Sequence, residues 1–395
     1  MTEDGALSGR NIASVCWVDH LMFGERDGRL ATADALARRI ESWRQELDVG
    51  ALHWRPKNRG VEFEFTTADG GEHPVVARSQ DAAFDEVELV PKLAHDAGLE
   101  AHLYVSLFDE GWPLAPPEVR AVSYHNDMHC QHVAWQTTFG CNHPEFMLAD
   151  RSGENRQMGV VCLAYESARA HFRQRYLSLL RDSAFDGLFL CLRSQSRPAD
   201  FADQFGFNEP VRQDYRRDVG RGIDEGEFDV QTWRDILGAY LTTFIEELRQ
   251  DLRAAGYRLA VGAARGDILG PPLGNATLDW RGWIERSLVD QLVINQNSSR
   301  CPSMWHDLWP MHRGGGYLQN YLDGTGLADL TRHIHETYAP ILEGHEAAIY
   351  VARQWDQRDA TAEAELLAEP AVAGLVFSTF RHDNPDAVAR GDWRA

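Results

Sequence analysis

Eight short apolar runs constrain the fold of this chain more than any other feature. They cover residues 11–18 (NIASVCWV), 49–55 (VGALHWR), 100–108 (EAHLYVSLF), 187–193 (GLFLCLR), 257–264 (YRLAVGAA), 289–295 (VDQLVIN), 346–353 (EAAIYVAR) and 373–380 (AGLVFSTF). Near-continuous apolarity over so few residues is the pattern of a strand covered on both faces. Amphipathic stretches separate the runs, at 31–47, 82–97, 165–182 and 231–255, and Gly98 and Gly256 stand where two of them end. Strands that alternate with helices build parallel sheets from βαβ units. Eight such units imply an α/β fold, a closed (β/α)8 TIM barrel. Chemistry in such a barrel belongs at the C-terminal ends of the strands.

The chain has 395 residues, against about 250 for a bare barrel. The surplus falls in three long segments after strands 3, 4 and 6, at 109–166, 194–230 and 296–326. We therefore expect one barrel domain over 1–395 with a large insertion at 109–166. The helix-to-strand returns are short, and this asymmetry loads one face of the scaffold. The long segments are rich in aromatics, among them Trp112, Tyr124, Trp135, Trp305 and Tyr317. Such rings suit stacking against sugar faces, and equally suit mini-cores within large loops.

The formal net charge of −21 speaks against nucleic acid or an anionic membrane as partner, because both require a basic face. Lys57 and Lys92 are the two lysines, so arginine carries almost all the positive charge. The six cysteines form no CxxC pair, and Cys16, Cys162 and Cys191 lie in apolar contexts that suit buried thiols. The first residues lack a basic and apolar leader, and no run is long enough to span a bilayer. These features lead us to expect a cytoplasmic, enzyme-sized protein, and with no nucleotide-binding motif visible we expect no cofactor. Self-association into a homo-oligomer stays open.

Several segments together resemble the bacterial glycosyl-hydrolase-like family 10 group, TIM-barrel proteins related to glycoside hydrolases. They are LVPKLAHDAGLEAHLYVSLFDEG in the third unit, HPEFMLADRSG and MGVVCLAYESAR at the end of the third loop, and FDGLFLCLRSQSR at the fourth strand. FGFNEPVRQDYRRDVG follows, and DWRGWIERSLVDQLVIN marks the sixth unit. The resemblance implies a barrel and a carbohydrate-directed activity. It departs at Cys191, where members of the group usually carry an aspartate.

Glycoside hydrolysis uses two carboxyl groups that flank the bond, one as acid and one as nucleophile or base. Acids just past strand ends are Asp19, Asp109, Glu110, Asp267, Asp356 and Asp383, with Glu209 in the fourth loop. Asp109, Glu110, Glu209 and Asp356 form the catalytic pool. Gly111 allows a tight turn that aims the first two inward. Asn208-Glu209-Pro210 also reads as a helix start, with Asn as the cap. Trp54, Arg55, Trp112, His125, Arg193, Asn295, Arg353 and Trp355 are the substrate-contact candidates. Arg55, Arg193, Arg265 and Arg353 end four strands. Converging guanidinium groups favour an anionic sugar group such as a uronate, or else pair with the acids at the mouth.

His125, His129 and His132 share one face if their segment is helical, a spacing able to hold a divalent metal. The segment lacks the HExxH pattern, and we assign no metal ligand. His20 or one of these histidines is also suited to proton transfer near neutral pH. Gly314-Gly315-Gly316 has no surrounding phosphate-loop pattern and reads as a turn. The leading expectation is a glycoside hydrolase acting on a soluble oligosaccharide or glycoside. A uronate lyase and a non-catalytic sugar-binding barrel are the alternatives.

Overall fold

The computed structural model describes residues 10–15, 32–56, 63–67, 84–112, 133–192, 203–269, 276–294, 330–354 and 359–378. The barrel strands are β1 (Asn11–Val15), β2 (Val49–Trp54), β3 (Glu100–Ser106), β4 (Gly187–Cys191), β5 (Arg258–Gly262), β6 (Gln291–Ile294), β7 (Ala348–Gln354) and β8 (Val372–Ser378). Each hydrogen-bonds to its sequence neighbours, and β8 closes onto β1, so that all eight form one parallel barrel. Every one of the eight apolar runs is a barrel strand.

The helices between them are α1 (Ala33–Leu47), α2 (Glu86–Asp96), α3 (Glu166–Arg181), α4 (Glu209–Val219), α5 (Val230–Ala254), α6 (Trp280–Glu285) and α7 (Ala360–Ala368). Local chemistry sets their ends. The side chains of Thr32, Asp85, Asp229, Asp279 and Asp359 accept backbone N–H groups at the starts of α1, α2, α5, α6 and α7, which satisfies donors that have no partner inside the helix. Gly98 and Gly256 adopt φ of 78° and 83°, the left-handed turn that sends the chain back into β3 and β5.

Alternation along the strands divides the core in two. Leu52 and Trp54 on β2, Leu103 and Val105 on β3, and Leu188 and Leu190 on β4 pack outward with the helices. His53, His102, Tyr104, Phe189 and Cys191 have the opposite parity and fill the barrel interior, where His53 stacks on Phe189 and Tyr104 meets it edge-on.

Helix α5 packs closely on the chain ahead of α6. A Cβ at Gly238 would lie 2.1 Å from the Thr277 carbonyl oxygen, far inside van der Waals contact. Gly238→Ala is therefore expected to destabilise the fold by about 1–3 kcal/mol or more. Urea unfolding of the variant checks this, and an unchanged midpoint would contradict the packing.

The insertion after β3 has structure of its own. Strands Gly111–Trp112 and Val133–Thr137 pair antiparallel, and Phe63–Thr67, from the segment after β2, adds a third strand. Long segments are expected from sequence after strands 3, 4 and 6, and the segment after β2 also contributes a strand to this sheet. A hairpin, Met147–Ala149 with Arg156–Val161, follows. The segment read as a loop after strand 4 contains α4, and the hairpin docks against its start. The backbone N–H groups of Gly206 and Phe207 both donate to Ala149 O, at 2.9 and 3.0 Å. The Arg151 guanidinium lies over the rings of Phe207 and Phe228.

Among the described residues no helix is long and apolar enough to cross a membrane. Cys162 is buried, and burial pushes its thiol up to about 12, so it packs as a small apolar side chain.

Candidate functional site at the barrel mouth

Three residues converge at the C-terminal ends of β2 and β3. Arg55 follows β2 directly, Ser106 ends β3, and Asp109 lies three residues beyond. Arg55 Nη2 is 2.7 Å from Asp109 Oδ2, and Arg55 Nη1 donates to Ser106 Oγ at 3.1 Å. The Asp109 side chain is 1% exposed and that of Arg55 17%. The pair is thus shielded from water, which strengthens the attraction well beyond that of a surface pair. Beneath it the Tyr104 ring lies 6.0 Å from the Arg55 guanidinium carbon, and the Tyr104 hydroxyl donates to Cys191 Sγ at 3.4 Å.

Sequence parity explains the placement. Arg55 continues the inward register of His53, and Ser106 that of His102 and Tyr104. The aspartate expected in β4 from the family resemblance would stand where Cys191 meets Tyr104. This part of the mouth carries its carboxylate on the segment after β3, at Asp109.

Glu110 is adjacent to Asp109 but faces another way. It is 2% exposed and accepts from Arg175 Nη2 at 2.7 Å, Arg175 Nη1 at 3.2 Å and Thr137 Oγ1 at 2.6 Å. Its backbone also joins the insertion. The Glu110 N–H donates to Gly159 O, and Glu110 O accepts from Thr137 N, both at 3.0 Å. Burial alone would raise its pKa, yet the Arg175 charge and the bonds from Arg175 and Thr137 bring it below the ordinary carboxylate value. The arginine responds in the opposite sense. Burial favours loss of its proton, and the Glu110 charge reverses this and raises it. Glu110 is therefore a fixed anion that fastens the insertion to α3.

The other candidates are spread out. Glu209 is exposed at the first position of α4 and accepts from Gln213 Nε2 at 2.9 Å. Asn208 occupies the cap position, but its side chain makes no capping bond. Its Oδ1 accepts from Ala149 N at 3.0 Å and its Nδ2 donates to Met147 O at 2.9 Å, so it holds the hairpin. Trp54 is fully buried in the helix-facing core. Arg353, 9% exposed, pairs in register with Phe377 and shares the helix-facing parity of Ile349 and Val351. Trp112 pairs through its backbone with Trp135 in the small sheet.

Asp267, past the end of β5, accepts from Trp280 Nε1 at 2.8 Å and Arg281 Nη1 at 2.5 Å on the same oxygen. Nearby, burial and then the charge of Arg265 lower the pKa of His333. His125, Arg193, Asn295, Trp355 and Asp356 lie outside the described residues, as do His20, His129, His132 and Gly314–Gly316. Among the described residues no cluster of three or more His, Cys, Asp or Glu side chains is arranged to hold a metal ion.

Ser106, Tyr104 and Arg175 were not singled out from sequence. Arg175 carried a usable signal. It lies beside the buried stripe Phe172–Tyr176–Leu180 on α3, and a charge at the edge of such a stripe needs a partner.

No family model matches the chain, and no curated protein matches its sequence. Solved structures do match in fold. The catalytic domain of β-amylase from Paenibacillus polymyxa overlays with a TM-score of 0.52 at 10% identity, covering 98% of this chain and 95% of that one. The PgaB (BpsB) glycoside hydrolase domain from Bordetella bronchiseptica covers 98% of both chains at 13% identity and a TM-score of 0.45. The noncanonic maltogenic α-amylase AmyB from Thermotoga neapolitana covers 95% of this chain and 68% of that one, at 8% identity and a TM-score of 0.44. Identities this low speak for the fold alone. The chain is a (β/α)8 barrel of the architecture found in solved glycoside hydrolases.

Proposed function

We propose that this protein is a carbohydrate-active enzyme of hydrolase type, akin to the glycosyl-hydrolase-like family 10 group, that cleaves a soluble oligosaccharide or glycoside at the C-terminal mouth of the barrel. The observation that carries the reading is the Asp109–Arg55 pair, a shielded carboxylate just past a strand end that is oriented by a guanidinium. A carboxylate in that state suits attack on the anomeric carbon or activation of water.

The acid partner is then drawn from elsewhere on the rim. In an eight-stranded barrel β7 stands opposite β3, and Asp356 follows β7 in sequence. On that sequence position alone we take Asp356 as the proposed partner of Asp109. Glu110 holds the insertion in this scheme, and Glu209 lies with the hairpin at the start of α4.

A neutral sugar fits the mouth better than a uronate. Arg55 is engaged by Asp109 and Ser106, and Arg353 has helix-facing parity, so two of the four arginines that favoured an anionic substrate are directed elsewhere. The lyase reading, which needs a guanidinium to neutralise the sugar carboxylate, loses the same support.

Incubating the purified protein with panels of neutral and uronate-containing oligosaccharides tests the proposal. New reducing ends without ultraviolet absorbance of an unsaturated sugar are the expected result. Absorbance rising together with reducing ends would establish elimination instead. Saturable binding by calorimetry without turnover of the bound sugar would establish a binding barrel.

A further inference from the structure

The barrel interior holds two fully buried histidines that the proposed chemistry does not use. His53 on β2 and His102 on β3 are each 0% exposed, are adjacent in register and stack with ring centroids 5.6 Å apart and planes 23° from parallel. His53 also stacks on Phe189, with ring centroids 3.9 Å apart. Among the described residues neither ring nitrogen of His53 has a hydrogen-bond partner, and the Ser14 hydroxyl, its register neighbour on β1, has none either. Among the described residues the acid beside the pair is Glu100, whose Oε2 lies 3.5 Å from His102 Nε2. Glu100 is already bonded to Arg258 Nη1 at 3.0 and 3.2 Å.

A neutral imidazole tolerates this setting because ring stacking and burial replace contact with water. A protonated imidazole does not. It would carry two N–H donors and a full charge into a dry interior where, among the described residues, the unpaired group beside His53 is the neutral Ser14 hydroxyl and not a counter-charge, at a cost of several kcal/mol in general. The titratable or charged groups facing the pair are Glu100 and Tyr104 on β3, Cys191 on β4, Arg258 on β5 and Tyr350 on β7. Strands β1, β6 and β8 contribute uncharged side chains such as Ser14, Gln291 and Val376. Glu100 alone among these is an anion near neutral pH, and it faces His102 rather than His53.

We propose that His53, stacked on neighbouring rings, is an acid-responsive element of the barrel interior: a proton is taken up at His53 only when the barrel opens, so mild acid loosens the fold before its carboxylates titrate. Burial first, and the neighbouring His102 second, hold His53 well below the ordinary imidazole value, which agrees with the geometry. The sign follows from proton linkage. Above the unfolded value, about 6.5, the imidazole is neutral in both states and stability does not depend on it. Below that value the unfolded chain binds a proton that the native barrel refuses. Stability then falls with pH until the depressed native value is reached. The rings of Phe189 and Tyr104 connect the pair to Arg55 and Asp109, so opening at this level reaches the mouth.

His53→Phe is the direct test, because phenyl keeps the stacked shape and cannot titrate. Urea unfolding at several pH values between 7.5 and 5 should show that the wild-type unfolding constant rises more steeply than that of the variant. The excess should approach tenfold per pH unit below about 6.5, with little difference between the proteins at the upper end. Equal slopes for the two proteins would overturn the proposal. Should the variant fail to fold, nitrogen-15 NMR of the wild-type imidazoles reads the same property. One stacked, slowly exchanging histidine should remain neutral at pH 5.5 in the folded protein. A full complement of the 16 histidines titrating in the ordinary range would overturn it.

Discussion

Replacing Asp109 with asparagine is expected to lower turnover by about two to four orders of magnitude, the range for removal of a group positioned for proton transfer or attack, and to cost some stability, because Arg55, 17% exposed, loses its counter-charge. The amide keeps the shape and an oxygen able to accept from Arg55 Nη2, now 2.7 Å from Asp109 Oδ2, while the negative charge is gone. Arg55→Ala should give the reverse balance. It leaves a carboxylate that is 1% exposed without its counter-charge, and breaking a buried pair from one side costs about 3–5 kcal/mol. Arg55→Lys retains the charge and loses the fork that reaches Asp109 and Ser106 together, so activity should fall with a smaller loss of stability. Steady-state kinetics on any glycoside the wild type cleaves, with thermal melts of the same samples, separates these outcomes. Wild-type turnover by Asp109→Asn would remove Asp109 from the chemistry.

The barrel was legible in the sequence because its signal is local and repeated. Each strand is buried on both faces, so it appears as an apolar run without any knowledge of its neighbours, and capping residues such as Asp85 and Asp229 mark helix starts. The small sheet was not legible. Phe63–Thr67 alternates glutamate and threonine with phenylalanine, and its partner Val133–Thr137 is about 70 residues away. No local pattern encodes such a pairing, and its entropic cost is met by contacts visible only in the folded chain.

The candidate site was legible by position, and the contacts of its residues were not. Reading acids just past strand ends found Asp109 and Glu110 together, since both follow β3. Sequence spacing could not show that the chain turns between them, sending Asp109 to Arg55 and Glu110 to Arg175. The same limit applies to arginine. Arg55 and Arg353 both end strands, and parity separates them. The first continues an inward series, the second an outward one. Parity can be read from a strand once its inward residues are known. In β2 that requires recognising His53, a polar residue, as interior.

Breaking the Glu110–Arg175 clamp should destabilise the insertion and the barrel with it while sparing activity, and this distinguishes a fastening carboxylate from a catalytic one. Arg175→Ala strands a carboxylate that is 2% exposed and is expected to cost about 3–5 kcal/mol. Glu110→Gln keeps hydrogen-bonding capacity toward Thr137 but leaves the Arg175 charge uncompensated, so a loss of similar size is expected. The double variant Glu110→Gln with Arg175→Met should be more stable than the sum of the single losses, because neither half then buries an unpaired charge. Acid reveals the same contact. Glu110 has a native pKa below its ordinary value, so its contribution is complete above the unfolded value near 4.3 and disappears as the pH falls through the native one. This range is more acidic than that of the His53 effect, so the two appear as separate segments of one stability curve. Chemical unfolding of the four proteins from pH 7 to pH 3 resolves them. Activity per folded molecule, measured well below each melting temperature, should remain near wild type in Glu110→Gln. If instead activity vanishes while the melting temperature is unchanged, Glu110 acts in the chemistry and the clamp is incidental.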